Sequence, residues 1–273
     1  MFMAIIFISS FVSCGKSDEE AGEEQPSDNM KIPQVVIDNI KRVFPGKRLV
    51  KMEYEGYPKI TWKYSGIYLT EGIIQPAEKA WVRYLLTWES IGISIAMDIT
   101  YEDVSYHESG RAEFGTDGRV KSITINLPKA TEDIKVVSNR YYSNERITRE
   151  EYKWGDEDWN ITNVRWTSSG NMIYLDDAVM QYGSADKIGL VHYSSPELND
   201  LYMDEMLFYT GVCGKGNNNL ITSITQGTRK AHYDYSYDKD GYPIQCSMLS
   251  ESYNNKGELR SSSTSVLHLT YTE

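Results

Sequence analysis

Alternation of large apolar residues with small or polar ones is the feature that most limits the fold of this chain. One stretch places such residues at every second position: Ile91, Ile93, Ile95, Met97, Ile99 and Tyr101. The same period recurs over 123–127 and 233–237. Because side chains two residues apart lie on the same side of a β-strand, this pattern predicts strands with one buried face. We therefore expect a mainly β protein.

A short unit punctuates these strands. An aromatic residue is followed four positions later by glycine, and usually by an apolar residue two positions after that: Phe114-Gly118-Val120, Trp166-Gly170-Met172, Tyr253-Gly257-Leu259, and Tyr237-Gly241 before Pro243-Ile244. A type I turn followed by a residue at positive φ has this spacing, and glycine adopts that conformation without a steric clash. The units therefore predict antiparallel hairpins, which would form a large curved sheet or an open barrel.

Two segments depart from the strand period and predict helices. Apolar residues recur at helical spacing from Val36 to Phe44, and Pro45-Gly46 would end this N-terminal helix. A second, short helix is expected near 196–209, where Gly211 would stop it.

The N-terminal residues differ in composition from the rest of the chain. The run from Phe2 to Val12 holds no charged residue and is shorter than the roughly 20 residues that cross a bilayer, but it has the length of an export signal. Residues 14–29 carry one positive and six negative charges and no apolar pattern. Such a segment cannot offset the entropy of ordering, so it predicts a flexible tether.

These features divide the chain into three parts. We expect a signal peptide over 1–13, an acidic flexible tether over 14–29 and a single antiparallel β-rich domain over 30–273. A small helix–strand subdomain over 30–66 is an alternative arrangement of the start of that domain.

Small residues stand before Cys14 at the end of the apolar run, in an order that resembles a bacterial lipoprotein signal. The resemblance implies that the Cys14 thiol is acylated and that the acyl chains hold the protein on the membrane. The acidic run after Cys14 resembles the surface-export signal of Bacteroidetes lipoproteins, and a plain linker on the periplasmic side is the alternative. The expected location is therefore the outer membrane, on the cell surface or the periplasmic face.

Two further stretches resemble known families. Tyr233 to Pro243, together with Gly211 to Lys215, resembles an uncharacterised family of Bacteroidetes lipoproteins known as DUF4595. The segment from Ile32 to Tyr54 resembles the opening of PepSY-like periplasmic domains. The first resemblance implies a Tyr-rich antiparallel β protein of the envelope, and it supplies no catalytic residues.

Charge and spacing argue against several classes of function. The formal net charge is −11, which repels a phosphate backbone, so we expect no nucleic-acid partner. The four histidines are far apart in sequence and form no zinc motif: His107, His192, His232 and His268. The acidic run Asp156-Glu157-Asp158 lacks the frame of a calcium loop. We therefore expect no metal or other cofactor.

No catalytic constellation is visible, so we expect a non-enzymatic binding module, for a glycan or for another envelope protein. The residues to inspect as sugar platforms are Trp62, Trp81, Trp88, Trp154, Trp159 and Trp166. The alternative is a polysaccharide hydrolase with two remote carboxylates, because such partners need not be close in sequence. Asp176-Asp177 is a pair in name only, since adjacent strand residues face opposite sides.

Two cysteines lie in the body of the chain, Cys213 and Cys246. In an oxidising compartment they could form a disulfide, and two separate buried thiols are the alternative.

The lipoprotein interpretation predicts a modification at a single residue. Metabolic labelling with a fatty-acid analogue should mark the wild-type protein and leave Cys14→Ala unlabelled, because acylation requires that thiol. Equal labelling of the two proteins would contradict the anchor.

Overall fold

The computed structural model describes residues 31–56, 58–127, 134–173, 178–186 and 206–273. The expected signal peptide, Cys14 and the acidic tether lie outside these ranges. Residues 31–273 form one compact unit. None of the helices in the described ranges meets the length and hydropathy that a membrane-crossing helix requires.

Fifteen strands form one antiparallel sheet in which strands consecutive in the chain are, with few exceptions, neighbours in space. β1 (Leu49–Tyr54) lies inside the sheet and pairs with β2 (Lys59–Ser65) on one side and with β17 (Leu259–Tyr271) on the other. The two edge strands are β10 (Asn160–Asn163) and β13 (Ala178–Asp186). The mainly β, antiparallel, unclosed sheet that the sequence predicts is therefore confirmed. The strands of the 30–66 segment, β1 and β2, are part of this sheet.

The elements in chain order are as follows: α1 (Gln34–Val43), β1 (Leu49–Tyr54), β2 (Lys59–Ser65), β3 (Tyr68–Ala77), β4 (Ala80–Glu89), β5 (Gly92–Tyr101), β6 (Val104–Phe114), β7 (Val120–Leu127), β8 (Ile134–Ser143), β9 (Arg146–Trp154), β10 (Asn160–Asn163), β11 (Arg165–Trp166), β12 (Met172–Ile173), β13 (Ala178–Asp186), β14 (Asn219–Gln226), β15 (Arg229–Tyr237), β16 (Pro243–Tyr253) and β17 (Leu259–Tyr271). β11 and β12 form a separate two-stranded hairpin.

The glycines of the recurring turn unit adopt the predicted conformation. Gly118, Gly170, Gly241 and Gly257 have φ between 73° and 86°. In three of the four units the strand register also shifts beside the aromatic residue, as a bulge requires. The predicted bulged hairpins are confirmed.

The N-terminal helix is also confirmed, as α1, and it buries Val36 and Ile40. Of the second predicted helix, only residues 206–208 are described as helical, and most of 196–209 lies outside the described residues. Gly211 follows this turn at φ 82°, where the backbone leaves the helical path.

One face of the sheet holds the core. It is the face toward which Ile93, Ile95 and Met97 point, and we call it the inner face. The stretch 206–214, which we call the core segment, is buried throughout and packs against it.

Contacts of the core segment come from strands that are far apart in the sheet. Tyr209 lies with its ring centroid 4.4 Å from that of Trp62 on β2. The Val212 carbonyl accepts a hydrogen bond of 2.9 Å from the backbone N–H of Val120 on β7. Met206 fills the space beside Gly72 on β3, where an added Cβ would lie 2.2 Å from its sulfur. A sheet in which β2, β3 and β7 all reach one short segment must curve around it.

The helix α1 and the residues after it close one end of this curved sheet, which we call the capped end. The side chain of Asn39 donates to the Asp117 carbonyl in the β6–β7 turn, over 2.8 Å. Lys47 pairs with Asp240 in the β15–β16 turn, with 2.9 Å between Nζ and Oδ2. Arg42 pairs with Glu145 in the β8–β9 turn. Alternate turns of an antiparallel meander lie at the same end, so the remaining turns define the opposite, open end.

The β11–β12 hairpin links the two margins of the sheet. The Trp166 indole N–H donates to the Ile147 carbonyl on β9 over 2.7 Å. On the other side, the Asn171 amide donates to the Asn219 side chain on β14 over 2.9 Å, and the Asn219 backbone N–H donates back to Asn171 over the same distance. Side chains thus bridge a gap that strand pairing leaves open.

A buried ion pair fixes the core segment to the sheet. Arg140 on β8 and its cross-strand partner Glu150 on β9 have side chains 0% and 6% exposed, with 3.0 Å between Nε and Oε1. Arg140 Nη1 lies 3.1 Å from the Cys213 sulfur, and the guanidinium lies 5.1 Å from the ring centroid of Phe208. Ser138 donates to the same Glu150 oxygen over 2.8 Å.

The disulfide considered from the sequence is not present, because Cys213 and Cys246 are two separate buried thiols. Cys213 lies against Arg140 in the core segment, whereas Cys246 is on β16, opposite Tyr235. Burial raises the pKa of the Cys246 thiol to about 11.

The buried ion pair predicts a strong difference between two adjacent glutamates. Glu150→Gln should destabilise the protein by about 3 kcal/mol, because it leaves the Arg140 guanidinium buried without its counter-charge. Glu151 faces outward, where Arg149 and Tyr141 contact it, so Glu151→Gln should cost less than about 1 kcal/mol. Urea unfolding of the two variants measures both values, and equal costs would contradict a stabilising role for the buried ion pair.

Candidate binding surface at the open end of the sheet

Most of the tryptophans singled out from the sequence are packing residues. Trp62 and Trp88 are buried, and Trp88 also donates its indole N–H to the Leu69 carbonyl over 2.8 Å. Three more are partly buried: Trp81, Trp154 and Trp166. Trp159 is exposed, and the Lys153 ammonium lies 5.4 Å from its ring centroid. The structure does not bring these residues together into a shared sugar platform.

The other sequence candidates are also dispersed. The described residues include no group of three or more His, Cys, Asp or Glu side chains that could hold a metal ion. His107 lies outward and contacts Asp98, with 2.6 Å between Nδ1 and Oδ1. Asp156-Glu157-Asp158 lies in and beside an exposed turn after β9. His192 and Asp176-Asp177 lie outside the described residues.

The outward face of the sheet is polar and charged. Glu71 on β3 receives Lys63 from β2 at 2.7 Å and Arg83 from β4 at 2.8 Å. Arg111 on β6 pairs with Glu89 on β4 at 2.7 Å. A face that carries such ion pairs is suited to water, so the apolar inner face provides the core.

Exposure of the inner face rises from the capped end toward the open end along the β5–β6 hairpin. Met97 is 3% exposed, whereas Tyr101, four residues further along the same face of β5, is 57% exposed. On β6, Val104 is 63% exposed and Tyr106 is 39% exposed. Apolar and aromatic side chains therefore continue on the inner face beyond the reach of the core segment.

Strand register joins these side chains into one surface. Tyr101 lies opposite Val104, Ile99 opposite Tyr106, and Met97 opposite Glu108. We call this set the Glu108 surface, and its members are Ile99, Tyr101, Val104, Tyr106 and Glu108.

Glu108 is the unusual member of the surface because it occupies an inner-face position that the strand pattern gives to apolar residues. It makes no hydrogen bond or ion pair with the described part of the chain. Its register partner is Met97, and the pairing of Gly110 with Ile125 places Leu127 beside it on β7. Burial raises the pKa of the Glu108 carboxyl to about 7. Burial, and next the Glu108 charge, also raises the pKa of Tyr106.

This arrangement suits recognition. A carboxyl with a pKa near neutral can accept a hydrogen bond when ionised and donate one when protonated. The exposed rings of Tyr101 and Tyr106 offer faces on which a ligand can stack. A desolvated titratable group beside exposed apolar surface is a common mark of a binding site.

Sequence reasoning did not single out Glu108 or Tyr106. A signal was present, because Val104, Tyr106 and Glu108 alternate with Ser105 and His107, which puts a carboxyl in phase with apolar residues. The alternation was followed only over 91–101, 123–127 and 233–237, so residues 104–108 lay outside it.

No protein-family model matches this chain, and no curated protein matches its sequence. Among solved structures, a porin-like protein from Bacteroides uniformis is similar, with a TM-score of 0.62, 12% sequence identity, and coverage of 83% of this chain and 98% of that one. A porin-like protein from Bacteroides vulgatus aligns over 83% of this chain and 99% of its own, at 12% identity and a TM-score of 0.37. At such identity the first likeness shows the fold alone.

The raised pKa of Glu108 predicts how stability depends on pH. Burial favours the protonated form of this carboxyl. The folded protein is therefore most stable, as far as Glu108 is concerned, below the ordinary pKa of 4.5, and it loses this stability as pH rises through about 7. Glu108→Gln should therefore stabilise the protein at pH 8 by about 1 kcal/mol, a value reduced for partial solvation, and change little at pH 4. Urea unfolding at both pH values measures this difference. Glu113→Gln, on the outward face of the same strand, is the control. An equal effect of Glu108→Gln at both pH values would contradict the burial of the carboxyl.

Proposed function

We propose that this chain is a lipid-anchored, non-enzymatic protein of the bacterial outer membrane that binds a glycan at the Glu108 surface. The observation that carries the proposal is that exposed tyrosine rings share one sheet face with a half-buried carboxyl that has no hydrogen-bond or ion-pair partner in the described chain.

The anchor part of the proposal rests on the order of residues before Cys14 and on the outward face of the sheet. Ion pairs such as those of Glu71 favour a domain that stays in water. The acyl chains would then provide the attachment to the membrane, and the tether over 14–29 would separate the domain from it. Either the cell surface or the periplasmic face fits this arrangement.

The binding part rests on the chemistry of the Glu108 surface. Sugar rings present an apolar face and a rim of hydroxyl groups, which suit tyrosine faces and a carboxyl respectively. Along the β5–β6 hairpin, the inner-face positions around Glu108 hold Met97, Ile99, Tyr106 and Gly110, none of which is a second carboxyl. Paired carboxylates are what glycoside hydrolysis needs, so this neighbourhood favours binding over cleavage.

A variant pair tests the proposal. The wild-type protein should bind specific sugars on a glycan array. The double variant Tyr101→Ser, Tyr106→Ser should not bind them, because both stacking faces are removed. The control is Tyr141→Ser, which removes an exposed ring from the outward face of β8. Retained binding in the double variant, or no binding by the wild type, would contradict the proposal.

A further inference from the structure

We infer that the ligand of the Glu108 surface is positively charged and, since this inference rests on the proposed function, that it is a sugar chain with free amino groups. The inference starts from the carboxyl of Glu108, which lacks a cation among the described residues.

Glu108 is placed where an incoming cation gains most. Its cross-strand neighbour Met97 is almost fully buried, and Tyr106 lies two residues away on the same face. Apolar neighbours exclude water from the carboxylate, which strengthens its attraction for a charge that reaches it from the open side. An uncharged ligand can hydrogen-bond to this carboxyl, but it supplies no counter-charge when the carboxyl is ionised.

The rings of the surface favour the same class of ligand. The faces of Tyr101 and Tyr106 attract cations through their negative π-systems. Both rings are exposed and both lie on the inner face with Glu108. An ammonium group bound at Glu108 would lie beside Tyr106, and a second ammonium further along the same sugar chain could reach Tyr101.

Further negative charge lies at the tip of the same hairpin. Glu102 and Asp103 form the turn between Tyr101 and Val104, both are exposed, and no ion pair of the described residues involves either. The backbone N–H of Glu102 donates to the Lys79 carbonyl over 2.7 Å, which brings one lysine to this end. Among the described residues, Glu102 and Asp103 at the tip and Glu108 on the surface thus outnumber Lys79, and this local balance attracts cations.

Two sugar chains of the same length provide the test. The full-length protein, purified in detergent, is titrated calorimetrically near pH 7 with a hexamer of glucosamine and with a hexamer of N-acetylglucosamine. The free-amine hexamer should bind about fivefold more tightly, the effect of a modest ion pair. Glu108→Gln should abolish this preference. Glu113→Gln, which removes a carboxylate from the outward face of β6, should keep it.

Each other outcome overturns the inference in a distinguishable way. Equal or tighter binding of the acetylated hexamer would overturn the positive charge of the ligand and leave glycan binding intact. If Glu108→Gln still prefers the free-amine hexamer, the preference arises from the overall acidity of the chain and not from Glu108. Failure of both hexamers to bind would overturn the inference, and the glycan array then decides separately whether the proposed glycan function also fails.

Discussion

The structure depends on the burial of one face of a long antiparallel sheet. Side chains alternate between two environments, so a strand that is apolar at every second residue needs a partner for that face. Here the core segment and α1 provide it, and the sheet curves so that strands as distant as β2 and β8 meet the same few residues. The Arg140–Glu150 pair fixes this arrangement, because two charges so deeply buried are stable only in contact with each other.

The same constraint explains why a binding surface would lie at the open end. Alternation continues along β5 and β6 after the core segment has ended, so Tyr101, Val104 and Tyr106 remain on the inner face with much of their surface exposed. Glu108 lies at the border between the buried and exposed parts. The removal of water around the Glu108 carboxyl raises its pKa. The same loss of water makes Glu108 a candidate for recognition of a ligand.

Local patterns predicted the local structure well. The bulged turns follow from glycine spacing, and the strands and α1 follow from hydrophobic period, because each depends on neighbours in sequence. The core segment, the Asn171–Asn219 bridge and the Arg140–Glu150 pair depend on residues brought together across the sheet. Trp62 and Trp88 were candidates for sugar stacking, yet they pack in the core, because period alone does not show which face is covered. Local patterns likewise do not show that Cys213 and Cys246 lie apart, because their positions depend on packing across the sheet.

The reactivity of one thiol tests the central claim, that the core segment lies inside the curved sheet. In a variant with Cys14→Ala and Cys246→Ala, Cys213 is the remaining thiol, and it is fully buried. We expect a disulfide reagent to modify Cys213 in native buffer only at the slow rate at which the protein unfolds, and immediately in denaturant. Immediate modification in native buffer would place the core segment at the surface and contradict its burial inside the sheet.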